Sequence, residues 1–395
     1  MGEASPLRFL CVAELPPDRA LGASGTQVRL VEWLQKLGHE VDAVWRDDLP
    51  RRVRHENLHD VVEKPVVFRK AIQSRCSRSQ YDVICVNQPM CYLAAKDHRL
   101  SGRQGVFVRW TMGLEYGLER ALAEWLPRWG LRKRSGWKTV PGELLDWMVY
   151  RQEVAAARYA DGHVVLCERD RQYLMQDFGV HSESIVNVRQ APLEHFIEYP
   201  VKPLTPERMR HILTVGQFVP YKGIFHTGQI ASSVLVSDPR LHFTWAGCSV
   251  THSEVASLVA TDVLSRVHVP GRLSDDEFRR TFDSHGVFLF PSIAEGFGKA
   301  FLEAMARGLC VVATNVGGMR DVIEHGRTGF LAEAGDVESM IRYVRLLTED
   351  FGLAQKMSLN ALAVSRTYSW QGVAARTVDF CRELLTRKQG VRLPG

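Results

Sequence analysis

Two carboxylates, Glu295 and Glu303, stand eight residues apart in HGVFLFPSIAEGFGKAFLEAMARGLCVVATNVGG, residues 285–318 of a 395-residue chain. A carboxylate accepts hydrogen bonds from sugar or ribose hydroxyls. The glycines beside Glu295, Gly296 and Gly298, lead into a helix start, where unpaired N–H groups hold an anion. One extended ligand gripped at two places, a sugar at Glu295 and a ribose at Glu303, is the chemistry this spacing suits. If the chain between them is helical throughout, the two lie roughly 12 Å apart, and closer if it loops. Glu303 has a plainer alternative: Arg307 follows four residues later, the order that makes a surface ion pair worth a few tenths of a kcal/mol.

These side chains need a frame to hold them. Val287 to Phe290 is an apolar run ended by Pro291 and Ser292, the pattern of a buried strand entering a turn. Phe301, Leu302 and Met305 then mark a helix closed by Gly308, and Cys310 to Ala313 is the next strand. Strand, loop, helix and strand in this order make a parallel unit whose strand ends open onto a ligand crevice.

EGFGKAFLEAMARG, with the strand and Gly317-Gly318 after it, resembles the E-x7-E signature of the retaining glycosyltransferases of family 4. DVIEHGRTGFL downstream is similar to the segment that follows in that family, and the resemblance covers most of the C-terminal half. It implies an α/β architecture of the GT-B type, two Rossmann-like domains facing each other across a cleft. The implied divisions are an acceptor-side domain at 1–197, a nucleotide-sugar domain at 198–367, and a terminal helix at 368–395 crossing back. The implied reaction moves a sugar from a nucleoside-diphosphate sugar to an acceptor hydroxyl with retention, in cell-surface polysaccharide or glycolipid synthesis.

The resemblance assigns roles residue by residue. Lys222, in GQFVPYKG, matches a lysine that neutralises the leaving diphosphate, and with Glu295 it takes the catalytic role. Gln217 stands where an arginine is common, and Arg272 could supply some of the missing charge. The backbone of Gly296, Phe297, Gly298 and Lys299 orients the sugar, and Glu303 anchors the ribose. Met112 aligns with a histidine usually placed near the donor sugar, and methionine offers no useful hydrogen bond there. No cofactor is implied, and no acidic D-x-D cluster calls for a metal.

Near the start, Phe9 to Ala13 reads as a strand, and Gly22, Ser24 and Gly25 as a phosphate-holding loop before a helix. Asp42 follows at a distance that suits a nicotinamide fingerprint, but the loop lacks the full G-x-G-x-x-G pattern. In the resembled family this loop faces the cleft near the donor diphosphate; its alternative is a plain turn. Val41–Trp45, Tyr81–Asn87 and Val106–Thr111 read as further strands, and Val66–Phe68 as the one clear strand of the basic stretch 46–78. Leu144–Tyr159 reads as a helix, and ADGHVVLCERDRQYLMQDFG as a strand entering a helix, similar to the family's last strand of the first domain. Prolines 192, 200, 203 and 206 mark a linker. His211–Val215, Leu241–Gly247 and Val267–Gly271 complete the strands, and an amphipathic helix ends the chain.

Composition bounds the class. With 45% hydrophobic and 24% charged residues and a formal net charge of +5, the chain is ordinary globular material, long enough for two cores. No apolar run approaches 18 residues, and the N-terminal stretch is short for a signal peptide, so a cytoplasmic location is expected. Eight scattered cysteines without a C-x-x-C pair are expected to be reduced and mostly buried. From Trp125 to Lys138, Arg128, Arg132, Lys133, Arg134 and Lys138 interleave with Trp125, Trp129 and Trp137, without an acidic residue. That mixture suits peripheral contact with the anionic inner face of a membrane and a lipid-linked or carbohydrate acceptor. A solvated basic loop is the alternative, and nucleic acid is not expected as a partner. Two rivals remain: a catalytically weakened GT-B binding or scaffold protein, suggested by Met112 and Gln217, and a nicotinamide dehydrogenase.

Overall fold

The computed structural model describes residues 5–19, 22–87, 89–131, 142–247 and 250–390. The chain divides into two units, residues 1–189 with 370–395, and residues 190–369. Each is built on a six-stranded parallel sheet.

The first unit contains β1 (Arg8–Ala13), β2 (Glu40–Val44), β3 (Val83–Asn87), β4 (Val106–Trp110), β5 (Gly162–Val165) and β6 (Ile185–Asn187). Their order is β2-β1-β3-β4-β5-β6, parallel throughout. Every residue of β3, β4 and β5 is buried, as a parallel sheet covered on both faces requires. On one face Leu10, Val12, Ile84, Val86 and Phe107 join Phe68, Ile72 and Ala156 in a single apolar cluster. The terminal helix Trp370–Gly390 belongs to this unit and packs on the helix Gly22–Lys36 and on β4 and β5.

Three expectations for this unit need correction. Val66–Phe68 is not a strand but part of the helix Lys64–Cys76, where Pro65 pre-sets the first turn and Phe68 and Ile72 bury one face at i, i+4 spacing. Gly22, Ser24 and Gly25 are not a loop before a helix; they are its first turn. Gly25 packs there so closely that a Cβ would sit 2.3 Å from the Arg19 carbonyl oxygen. The β5 strand is not the last of its sheet, because β6 follows; a three-residue strand is too short to show a period.

The second unit contains β7 (His211–Val215), β8 (His242–Ala246), β9 (Val267–His268), β10 (Val287–Phe290), β11 (Cys310–Thr314) and β12 (Phe330–Ala332). Their order is β12-β11-β10-β7-β8-β9. The chain runs outward from β7 to β9, then returns to the far side of β7 and runs outward again from β10. The direction of winding reverses between β7 and β10, and such a reversal opens a crevice at the strands' carboxyl ends. β9 stops at His268, short of the expected Gly271, and β12 lies beyond the expected strands.

Two buried arginines tie down the proline-marked segment. Arg307, at 0% exposure, donates to Asp283 at 2.7 Å and to the carbonyl oxygens of Phe196, Tyr199 and Pro200 at 3.2, 2.8 and 2.7 Å. Arg208 donates to the carbonyls of Lys202 and Pro203 at 2.7 and 3.0 Å. Residues 196–203 are therefore pinned to the second unit. Seven cysteines are described; all are free thiols, and Cys76 alone among them is not fully buried.

Candidate active site

The crevice between β7 and β10 holds the closest approach of the expected site residues. Lys222 ends a single 3₁₀ turn, Pro220–Lys222, that follows β7. Gly223 closes the turn at φ +73°, and a Cβ there would meet the Pro291 carbonyl oxygen at 2.0 Å, so only glycine lets the two strand-end loops approach. The loops are also joined by the Ile293 N–H, which donates to the Tyr221 carbonyl at 2.9 Å. This contact sets Lys222 opposite the loop after β10.

Lys222 Nζ donates to Glu295 Oε1 at 2.6 Å. Ser292 Oγ donates to the same oxygen at 2.8 Å. The Ser292 carbonyl in turn accepts from the Thr314 hydroxyl at the end of β11, so three adjacent strands fix the carboxylate. Only 7% of the Glu295 side chain and 21% of the Lys222 side chain are exposed. In such partly desolvated surroundings the pair attracts more strongly than on an open surface. The Tyr221 and Phe290 rings flank the ammonium at 5.4 and 5.7 Å from their centroids. The arrangement can present a cation to an anionic ligand and carboxylate lone pairs to hydroxyls.

The remaining expected residues are placed as follows. Gly296 to Lys299 form the loop after Glu295, with the Gly296 carbonyl accepting from the Gly318 N–H at 3.1 Å. The chain from Glu295 to Glu303 is not helical throughout; the helix spans only Ala300–Ala306, so the two carboxylates are not separated by a continuous helix. Glu303 is 3% exposed, which removes the reading of it as a solvated partner of Arg307. Arg307 is itself buried and turned to Asp283. Gln217 is exposed just past β7, and Arg272 is exposed past β9, two strands from β7. Gly22, Ser24, Gly25 and Met112 belong to the first unit. Of the basic tryptophan segment, Arg132, Lys133, Arg134, Trp137 and Lys138 lie outside the described residues. Within the described part, Trp125 and Trp129 pack at 5.6 Å and Arg128 lies over the Trp125 ring at 4.6 Å.

Ser292 escaped the sequence reading. Its only signal was its place three residues before Glu295 at a strand end. The cluster of Glu14, His59, Asp60 and Lys64 beyond β1 was also missed, because its members are scattered over 51 positions with no motif between them.

Comparison with known proteins shows what the chain resembles. Residues 196–363 match the family model described as glycosyl transferases group 1. Sucrose synthase of Denitrovibrio acetiphilus is 36% identical over 120 residues, 29% of this chain and 15% of that protein. The chain spans less than half the length of the curated relatives it matches. Among solved structures, sucrose-phosphate synthase of Thermosynechococcus elongatus superposes with a TM-score of 0.74 at 17% identity, covering 96% of this chain and all of that one. Anabaena HepE, solved with UDP, gives 0.66 at 15% identity, covering 95% of this chain and 100% of its own. Residues 196–363 thus resemble the glycosyl transferases of group 1, within a chain that has the GT-B fold.

Proposed function

We propose that this protein is a retaining glycosyltransferase of family 4 that moves a hexosyl or related sugar from a nucleoside-diphosphate donor to an acceptor hydroxyl. The observation that carries the reading is the Lys222–Glu295 pair, 2.6 Å apart at the point where the strand order reverses. A departing diphosphate develops negative charge and needs a fixed cation, which Lys222 supplies. When the ammonium turns to phosphate, Glu295 is released to accept hydrogen bonds from sugar hydroxyls, while Ser292 keeps it oriented. The loop amides of Gly296 to Lys299 direct the sugar, and Glu303 takes the ribose. The acceptor hydroxyl attacks from the face the diphosphate leaves and passes its proton to the leaving phosphate, so no side chain acts as a nucleophile. No metal is given to the donor site. The UDP complex of Anabaena HepE supports a nucleoside diphosphate as the ligand class.

The test is a thermal-shift screen against UDP, GDP, ADP and dTDP sugars, followed by diphosphate release from whichever donor binds. A shift of several degrees with one base and release on adding acceptors is expected. Binding without turnover over a broad acceptor panel would favour the weakened binding protein that Met112 and the exposed Gln217 suggest. No shift with any nucleotide would end the reading.

For the acceptor we propose a lipid-linked or carbohydrate hydroxyl met at an anionic membrane surface through residues 125–138, in cell-surface polysaccharide or glycolipid synthesis. Arg128 stacked on Trp125 supports this, as do Leu144 and Trp147, which are 47% and 56% exposed on the helix Gly142–Tyr159. Cations and indole rings together suit the interface. Co-sedimentation with vesicles containing phosphatidylglycerol, and none with pure phosphatidylcholine, is the expected result. Equal pelleting with both, or with neither, removes the membrane contact.

A further inference from the structure

A second group of charged side chains lies in the first unit, at the carboxyl end of β1. Glu14 leaves that strand, and His59 and Asp60 come from the segment after β2. Among the described residues these are the one set of three or more His, Cys, Asp or Glu side chains whose ligand atoms all lie within 4.8 Å of one another. Ligand atoms sharing one first-row ion stand about 3–3.5 Å apart. The His59 Nε2 to Glu14 Oε1 separation is 3.8 Å, so a small closure would suffice.

The surroundings of His59 are more telling than the cluster itself. Its Nδ1 lies 2.7 Å from Glu63 Oε2, and the Glu63 carboxylate already accepts the backbone N–H groups of Arg52 and Val53, each at 2.9 Å. Glu63 acts as an acceptor, so Nδ1 carries a proton and Nε2 is the nitrogen turned toward Glu14. Nε2 is left without a hydrogen bond, since Glu14 at 3.8 Å is beyond reach. The residue is 7% exposed, and Nε2 faces the Glu14 carboxylate of the group. A buried imidazole whose other nitrogen donates to a carboxylate is the arrangement that orients a metal-binding histidine.

The position a cation would take is held by an ammonium. Lys64 Nζ lies 2.7 Å from Glu14 Oε1 and 2.5 Å from Asp60 Oδ1. Its burial alone would lower its pKa, but these two carboxylates outweigh that and hold the ammonium charged. The backbone also departs from a regular helix here. The Lys64 N–H donates to the His59 carbonyl across five residues, a single π turn of the kind common at functional sites.

We propose that Glu14, His59 and Asp60 bind a divalent first-row transition-metal ion, with Glu63 orienting His59 and Lys64 competing for the two carboxylates. The mixed imidazole and carboxylate set suits Zn²⁺, Co²⁺, Ni²⁺ or Mn²⁺. The inference is independent of the glycosyltransferase reading, which assigns no metal to the donor site. A doubly charged ion displaces the ammonium, and the lysine's long stem lets it swing aside.

The test uses the full-length chain, treated with EDTA and then freed of it, titrated with Co²⁺ by visible absorption and with Zn²⁺ by calorimetry. One ion per chain is expected. His59→Ala and Glu63→Gln should each weaken binding by about 10–100-fold, and the second leaves all three ligands in place. Lys64→Met, which removes the competitor, should tighten it by about tenfold or more. Circular dichroism checks that each variant is folded. The proposal fails if neither the parent protein nor Lys64→Met binds one ion below about 1 mM, if a folded His59→Ala variant binds as before, or if Lys64→Met weakens the site.

Discussion

Replacing Lys222 with alanine should lower kcat/KM for sugar transfer by about 10²–10³-fold, the loss typical when one fixed stabiliser of a developing anion is removed. That corresponds to about 2.7–4 kcal/mol of transition-state stabilisation. The expectation follows from where the ammonium is held. Glu295 fixes it at 2.6 Å, the Tyr221 and Phe290 rings flank it, and 21% of its side chain is exposed. A charge already aimed and partly desolvated needs little reorganisation when the diphosphate departs. Gln217, exposed and uncharged, cannot replace it.

Lys222 also neutralises Glu295, so its loss leaves a carboxylate of 7% exposure held by the Ser292 hydroxyl. Part of any defect could therefore be structural. Adding Glu295→Gln to Lys222→Ala removes the stranded charge and should restore thermal stability without restoring turnover. Steady-state kinetics and melting curves on the two single variants and the double variant separate the effects. A Lys222→Ala protein within threefold of the parent in kcat/KM would show that the diphosphate is met by some other cation, and the reading of this crevice would fall.

How far the sequence reveals this crevice depends on the range of the contacts involved. Val287–Phe290 is legible because an apolar run ending in Pro291 is a local signal, and the strand has those same bounds. Val66–Phe68 is misleading because three apolar residues do not distinguish a strand from one face of a helix; Pro65 beside them was the better indicator. The Lys222–Glu295 contact spans 73 positions. It exists because β10 pairs with β7 while β8 lies on the other side, an ordering that no window of sequence contains. Glu303 and Arg307 show the opposite error. Their i, i+4 spacing describes an isolated helix well, but packing buried both residues and gave Arg307 to Asp283.

That buried arginine carries the second large effect. Arg307→Met is expected to destabilise the second unit by about 3–5 kcal/mol, the range for breaking a buried ion pair by removing one partner. The guanidinium at 0% exposure faces Asp283, whose side chain is 1% exposed, and it also satisfies the carbonyls of Phe196, Tyr199 and Pro200. Methionine fills most of the volume but donates nothing, so Asp283 loses one of its two arginine partners and three carbonyl groups lose their donor. Arg279 Nη1 still donates to Asp283 Oδ2 at 2.8 Å, which keeps the loss from being larger. Asp283→Asn in the same chain should recover part of the stability by removing a buried charge that has lost one of its two partners, but not all, because the carbonyls at 196, 199 and 200 remain without their donor. Arg210→Ala, at an exposed position of the same unit, should cost less than about 1 kcal/mol and serves as the control. Urea denaturation followed by tryptophan fluorescence reads all four proteins. A midpoint for Arg307→Met no lower than that of Arg210→Ala would mean that the 196–203 segment is held by its apolar contacts alone. Phe196, packed edge to face on Phe282 at 4.9 Å, would then be the residue to change next.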